Sequence, residues 1–119
     1  MCQKEIATQS VTACTPDYQA VLDKKGYATF VISDPQDRPR NATRARGVNW
    51  LPWGGAYYDA VVIYRHMLPS GSFTQAIQNV PEGKDPAKIM GAYFPQGAYC
   101  PAPRFESGGW RACLGPGPE

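Results

Sequence analysis

The stretch that decides the architecture is Tyr27-Ala28-Thr29-Phe30-Val31-Ile32-Ser33. Its side chains alternate, with Ala28, Phe30 and Ile32 on one face and Tyr27, Thr29 and Val31 on the other. Both faces are largely apolar, the pattern of a central strand covered on two sides. A second stretch of the same kind is Asp59-Ala60-Val61-Val62-Ile63-Tyr64-Arg65-His66-Met67, closed by Leu68-Pro69-Ser70-Gly71. These two runs predict an α+β domain with a small antiparallel sheet built on residues 27 to 33 and 59 to 67.

Short helices are expected near 16 to 25, 72 to 79 and 86 to 90, covering one face of that sheet. Thr15-Pro16-Asp17 offers a cap, a proline in the first turn and a carboxylate at the positive helix end. Tyr18, Val21 and Leu22 follow at helical spacing, and Gly26 provides a left-handed stop. Ser72 leads a run in which Phe73, Ala76, Ile77 and Val80 share a face, and Pro81 ends it. Asp85-Pro86 repeats the cap-and-proline signature ahead of Ile89, Met90 and Gly91. From Tyr93 onward the chain is rich in turn residues and is expected to be irregular and disulfide-tied.

The chain has 119 residues, with 12 Gly and 12 Pro, and only 18% of its residues are charged. That length fits a single domain over 1–119, and the glycine and proline content implies many short elements joined by turns. A net charge of +2 gives no electrostatic case for duplex nucleic acid. The start, Met1-Cys2-Gln3-Lys4-Glu5-Ile6, has no apolar run, and no stretch approaches the roughly 20 apolar residues that a transmembrane helix needs.

Cys2, Cys14, Cys100 and Cys113 form one pair near each end of the sequence. With no Cys-x-x-Cys motif and a single histidine, no metal site is expected. Two short-range disulfides, Cys2 with Cys14 and Cys100 with Cys113, are the preferred pairing on loop-closure grounds. They imply an oxidising compartment, which is extracellular, periplasmic or at the cell envelope.

Residues with chemical potential are few. His66 has no nucleophile motif or orienting carboxylate in the sequence, so it does not read as a general base. Phosphate-cradling glycine loops are absent, and no cofactor is expected. Asn41-Ala42-Thr43 fits the N-glycosylation pattern, which has meaning only in a eukaryotic secretory pathway. Two candidate ligand-binding groups remain. Arg38, Arg40, Arg44 and Arg46 crowd the loop from Asp34 to Gly47, where guanidinium groups can hold a carboxylate, sulfate or phosphate; Asp34 and Asp37 offset half of that charge. Trp50, Trp53, Tyr57 and Tyr58 form an aromatic cluster beside Gly54 and Gly55, suited to stacking on a sugar or to anchoring a protein interface.

The order of strand, proline-broken loop, Asn49-Trp50-Leu51-Pro52, glycines and second strand resembles the C-terminal β-rich domain of exported bacterial proteins known as unknown-function domain 1214. Asn49-Trp50-Leu51-Pro52-Trp53-Gly54 and the terminal Gly108-Gly109-Trp110 with Cys113 are similar to uncharacterised secreted actinobacterial proteins. The resemblance implies an exported domain, the C-terminal part of a larger protein, and implies no reaction. Tyr64-Arg65-His66 departs from the Arg-x-Tyr order of the family.

The functional expectation is a non-catalytic exported accessory or protein-interaction domain, for which the sparse acid and base groups speak. The alternative is a subunit or fragment of an exported enzyme with an anion or carbohydrate ligand. The expected helices are too short to cover both faces of the sheet, so the expected partner is another protein chain or a missing parent segment, with Trp50 or Trp53 in the interface.

Overall fold

A computed structural model describes residues 19–53 and 68–115. Its elements are β1 (Thr29–Ser33), β2 (Val48–Pro52), α1 (Pro86–Met90) and α2 (Ala102–Leu114), with short 3-10 turns between them. The small sheet, the short helices and the disulfide-tied C-terminal segment form an α+β arrangement.

The described strand pair is β1 with β2, and it is parallel, with Thr29 opposite Val48 and Ser33 opposite Pro52. The expected antiparallel partner, 59–67, lies outside the described residues. A parallel neighbour so close in sequence requires a crossover of a dozen or more residues, and the segment from Asp34 to Gly47 supplies one. That segment is ordered by its own bonds. It has 3-10 turns at Pro35–Asp37 and Arg44–Arg46, and its Ala42 is fully buried. Gly47 adopts the left-handed conformation (φ 74°) that turns the chain into β2. A Cβ there would lie 3.3 Å from the Cα of Asp23, so glycine serves both the turn and the close approach.

Among the described residues, the side chain of Asn49 bonds the segment before β1 to this pair. Asn49 is 3% exposed. Its Oδ1 accepts from the Val21 N–H at 2.8 Å, and its Nδ2 donates to the carbonyls of Val21 at 3.0 Å and Thr29 at 3.1 Å. The amide therefore bonds both main-chain groups of Val21, as a neighbouring strand would. Arg44 takes the Gln19 carbonyl at 2.6 Å, and Asp23 Oδ1 accepts from the N–H groups of Lys25 and Tyr27. These bonds consume the main-chain groups that a helix over 16 to 25 needs; Gln19 is in a 3-10 turn, and from Ala20 to Lys25 the segment is not helical.

The 72 to 79 helix is likewise replaced by turns and a 3-10 turn at Ile77–Asn79. Asn79 Nδ2 donates to the Phe73 and Thr74 carbonyls, the acceptors that an α-helix would use for its own ladder. The third expected helix forms as α1. Asp85 caps it by accepting from the Ala87 N–H at 3.0 Å, and Pro86 occupies the first turn. Met90 and Ala76 are buried here, and Phe73 meets Tyr93 edge to face at 4.8 Å.

The C-terminal segment is disulfide-tied as expected and irregular over 94–101, but helical over Ala102–Leu114. Pro101 and Pro103 lie at the start of α2, where a missing N–H costs nothing. Gly109 breaks the helical path at φ 64°, ψ −158°, a region open essentially to glycine alone. The Cys100–Cys113 disulfide, with a Cα–Cα distance of 5.5 Å, closes the helix onto the chain that enters it. Cys2 and Cys14 lie outside the described residues. Phe105 packs with Ala42 and Val48, flanked by Val31, Trp50 and Trp110.

Replacing Asn49 by Leu leaves the Val21 and Thr29 groups unpaired in the interior. The expected loss is about 2–4 kcal/mol of unfolding free energy, read as a lower urea midpoint at unchanged slope. A loss below about 0.5 kcal/mol, the size of an ordinary surface substitution, would show that the amide is not a structural joint.

Candidate functional site

The arginines of the crossover are mostly spent on the crossover itself. Arg38 grips the Ala42 carbonyl with Nε at 3.0 Å and Nη2 at 2.7 Å, and its guanidinium lies 4.5 Å from the centre of the Trp50 ring. Arg40 meets Glu106 of α2 twice, through its main-chain N–H at 2.8 Å and its Nη2 at 3.1 Å. Arg44 holds Gln19, as described. Arg46 is different: among the described residues its guanidinium has no hydrogen-bond or ion-pair partner, and it lines two hollows against α2.

The aromatic group is dispersed in the same way. Trp50 is half-buried, and its indole N–H donates to the Ser33 hydroxyl at 2.9 Å, fixing it to the end of β1. Trp53 follows β2 and its main-chain N–H donates to the Ser33 carbonyl at 2.8 Å. Tyr57 and Tyr58, with His66, lie outside the described residues. The nitrogen of Asn41 that the glycosylation pattern singles out donates to the Phe105 carbonyl at 3.0 Å.

The larger hollow, about 290 Å3, lies between the turn at Arg44–Gly47 and the kink of α2. Asp23, Asn41, Arg46, Trp110 and Arg111 line it, together with the bare backbone of Gly108 and Gly109. A neighbouring hollow of about 190 Å3 shares Asn41 and Arg46 and adds the Arg40–Glu106 pair. The Trp110 indole donates to Asp23 Oδ2 at 3.3 Å, its ring centre is 5.4 Å from that of Tyr27, and Arg111 stacks on it at 4.4 Å. Asn41 Oδ1 is buried and has no partner among the described residues.

Electrostatics follow from these contacts. Desolvation pushes the Asp23 carboxyl upward, but the N–H groups of Tyr27 and Lys25, the Trp110 indole and the Arg111 charge outweigh it and hold the group below its ordinary value. Glu106 is lowered chiefly by the Arg40 main-chain N–H, and Arg40 is raised in return by its bond to Glu106. Among the described residues no three His, Cys, Asp or Glu side chains gather as metal ligands.

Five important side chains lie outside the candidate ligand-binding groups read from the sequence: Asp23, Asn41, Asn49, Glu106 and Trp110. Asp23 had a local signal, because an Asp opening Asp23-Lys24-Lys25-Gly26 favours a turn bonded to its own backbone. The partners of the others lie up to 87 residues away in sequence, as for Trp110 with Asp23.

Because folding depresses the Asp23 carboxyl, its contribution to stability is complete above the unfolded-state value near pH 3.9 and is lost as pH falls through the lower folded value. The stability advantage of wild type over Asp23→Asn should therefore shrink as pH drops from about 5 to about 3, measured by urea unfolding at each pH. An advantage that stays constant over that range would exclude an ionised Asp23 as the link.

Comparison with protein-family models, curated proteins and solved structures returned no match for this chain.

Proposed function

We propose that this chain is a non-catalytic, exported interaction domain that docks a protein partner on the outer face of β1. The observation that carries this reading is the exposure of Phe30 (44%) and Ile32 (36%), side by side on one face of a strand whose other face meets the core. Parallel sheets are ordinarily covered on both faces. A two-stranded pair has little stability of its own, which gives β1 a reason to acquire cover from another chain. Leu22 is also exposed, at 58%.

Export is supported by the Cys100–Cys113 disulfide, a bond that persists in oxidising compartments. Among the described residues no helix is long and apolar enough to cross a membrane. The resemblance of the Asn49-Trp50-Leu51-Pro52 region to exported bacterial domains points the same way. Trp50 is a less suitable interface anchor than expected, because Ser33 and Arg38 already engage it.

A photo-crosslinking residue placed at position 30 in the source cell tests the reading. It should capture a defined protein, while the same group at Tyr99, which is fully exposed, should not. The double substitution of Phe30 and Ile32 by Glu should abolish co-purification of that protein and leave the melting temperature within a few degrees of wild type. Labelling at position 30 no greater than at position 99 would contradict the proposal.

A further inference from the structure

Between the 3-10 turn at Gly91–Tyr93 and α2 the chain runs without turn or bend over 95–101. Both ends of this strip are extended, Phe94 at φ −74°, ψ 121° and Pro101 at φ −61°, ψ 138°. All residues of 95–99 are exposed, and no hydrogen bond joins them to any described residue. A Cβ on Gly97 would meet nothing within 4 Å, and Tyr99 is 100% exposed. A paired or buried main chain has to open before another protein can read it; this one needs no opening.

An endopeptidase takes its substrate as an extended strand, pairing with the main chain around the bond it cuts and holding side chains in pockets. The sequence narrows where that bond lies. Phe94-Pro95 and Cys100-Pro101 are proline peptide bonds, whose nitrogen has no proton to pair. Between them, Tyr99 carries the one large apolar side chain. The Ala98–Tyr99 bond is also central, with Gln96, Gly97 and Ala98 before it and Tyr99, Cys100 and Pro101 after it.

The covalent arrangement is the second observation. The Cys100–Cys113 disulfide lies wholly on the C-terminal side of Ala98–Tyr99, so it does not bridge a cut there. The contacts that span the cut are noncovalent: Phe105 packs with Ala42 and Val48, Glu106 bonds Arg40, and the Trp110 indole donates to Asp23. Cleavage would turn α2 into a separate, ring-closed chain held in place without a covalent link.

We propose that this strip is a processing site, cut at Ala98–Tyr99 by an endopeptidase that takes a large apolar side chain on the amine side of the bond. Water supplies a hydroxyl to the Ala98 carbonyl carbon and a proton to the Tyr99 nitrogen as the C–N bond breaks, with no change of oxidation state. The enzyme leaves after hydrolysis and forms no standing complex at position 99. The site is independent of the outer face of β1, so either reading can fail without the other.

The test uses thermolysin, an endopeptidase of that preference, on the full chain. The initial rate at Ala98–Tyr99, followed by mass spectrometry without reductant, should lie within about ten-fold of that for an alkylated peptide of residues 93–103, because no opening step precedes it. Tyr99→Phe should keep the rate and Tyr99→Gly should lower it by about ten-fold or more, both at unchanged melting temperature. The cut chain should elute as one species in native buffer and part in urea without reductant. Protein recovered from the source cells should contain a fraction whose amino terminus is Tyr99. Suppression of the native rate by about a hundred-fold or more against the peptide, a Tyr99→Gly variant cut as fast as wild type, separation of the pieces in native buffer, or recovery of the strip only uncut from the source cells would each overturn the proposal.

Discussion

A single buried amide joins three segments of this protein. Asn49 bonds both main-chain groups of Val21 and reaches across to the Thr29 carbonyl. Without it the chain before β1 would have no ladder to join, since the described sheet contains only β1 and β2. The amide acts as a substitute peptide, adding the bonding of a third strand without the third strand. Asp23 extends the same joint outward: its one oxygen closes the turn to Tyr27, and its other receives the Trp110 indole from α2.

The crossover from β1 to β2 is built on a related economy. Its arginines look in sequence like an anion-binding array, and in space most of them serve to hold an irregular backbone in place. Arg38 satisfies the carbonyl of buried Ala42, and Arg40 ties the loop to α2. The exposed Arg40–Glu106 pair is worth little as an isolated ion pair, but its second bond, from the Arg40 main chain, fixes the register between loop and helix. Among the described residues only Arg46 is left over, and it lines the same hollows as Asn41, whose buried Oδ1 has no partner there either.

Features decided by near neighbours in the chain were legible in the sequence. The strand at Thr29–Ser33, the Asp85-Pro86 cap and the Cys100–Cys113 pairing each rest on residues close together. Features decided by distant partners were not. The helix expected over 16 to 25 fails beyond Gln19 because Asn49, 28 positions beyond Val21, takes the bonds the helix needs. The run Val48–Pro52 reads as an aromatic patch because its strand character depends on pairing with β1. In α2 the prolines and glycines that suggest a coil are placed where a helix tolerates them, at its first turn and at its kink. For the site, Arg46 was visible as one of four equal candidates, and only the bonds made by the other three set it apart.

Hydrogen exchange at the Val21 amide tests the central joint most directly, because that N–H has a side-chain acceptor, Asn49 Oδ1, and no strand partner among the described residues. With the joint intact, Val21 should exchange as slowly as the best-protected amides of β1 and β2, and far more slowly than the exposed amide of Lys24. Exchange of Val21 at the rate of Lys24 in the folded protein would contradict it.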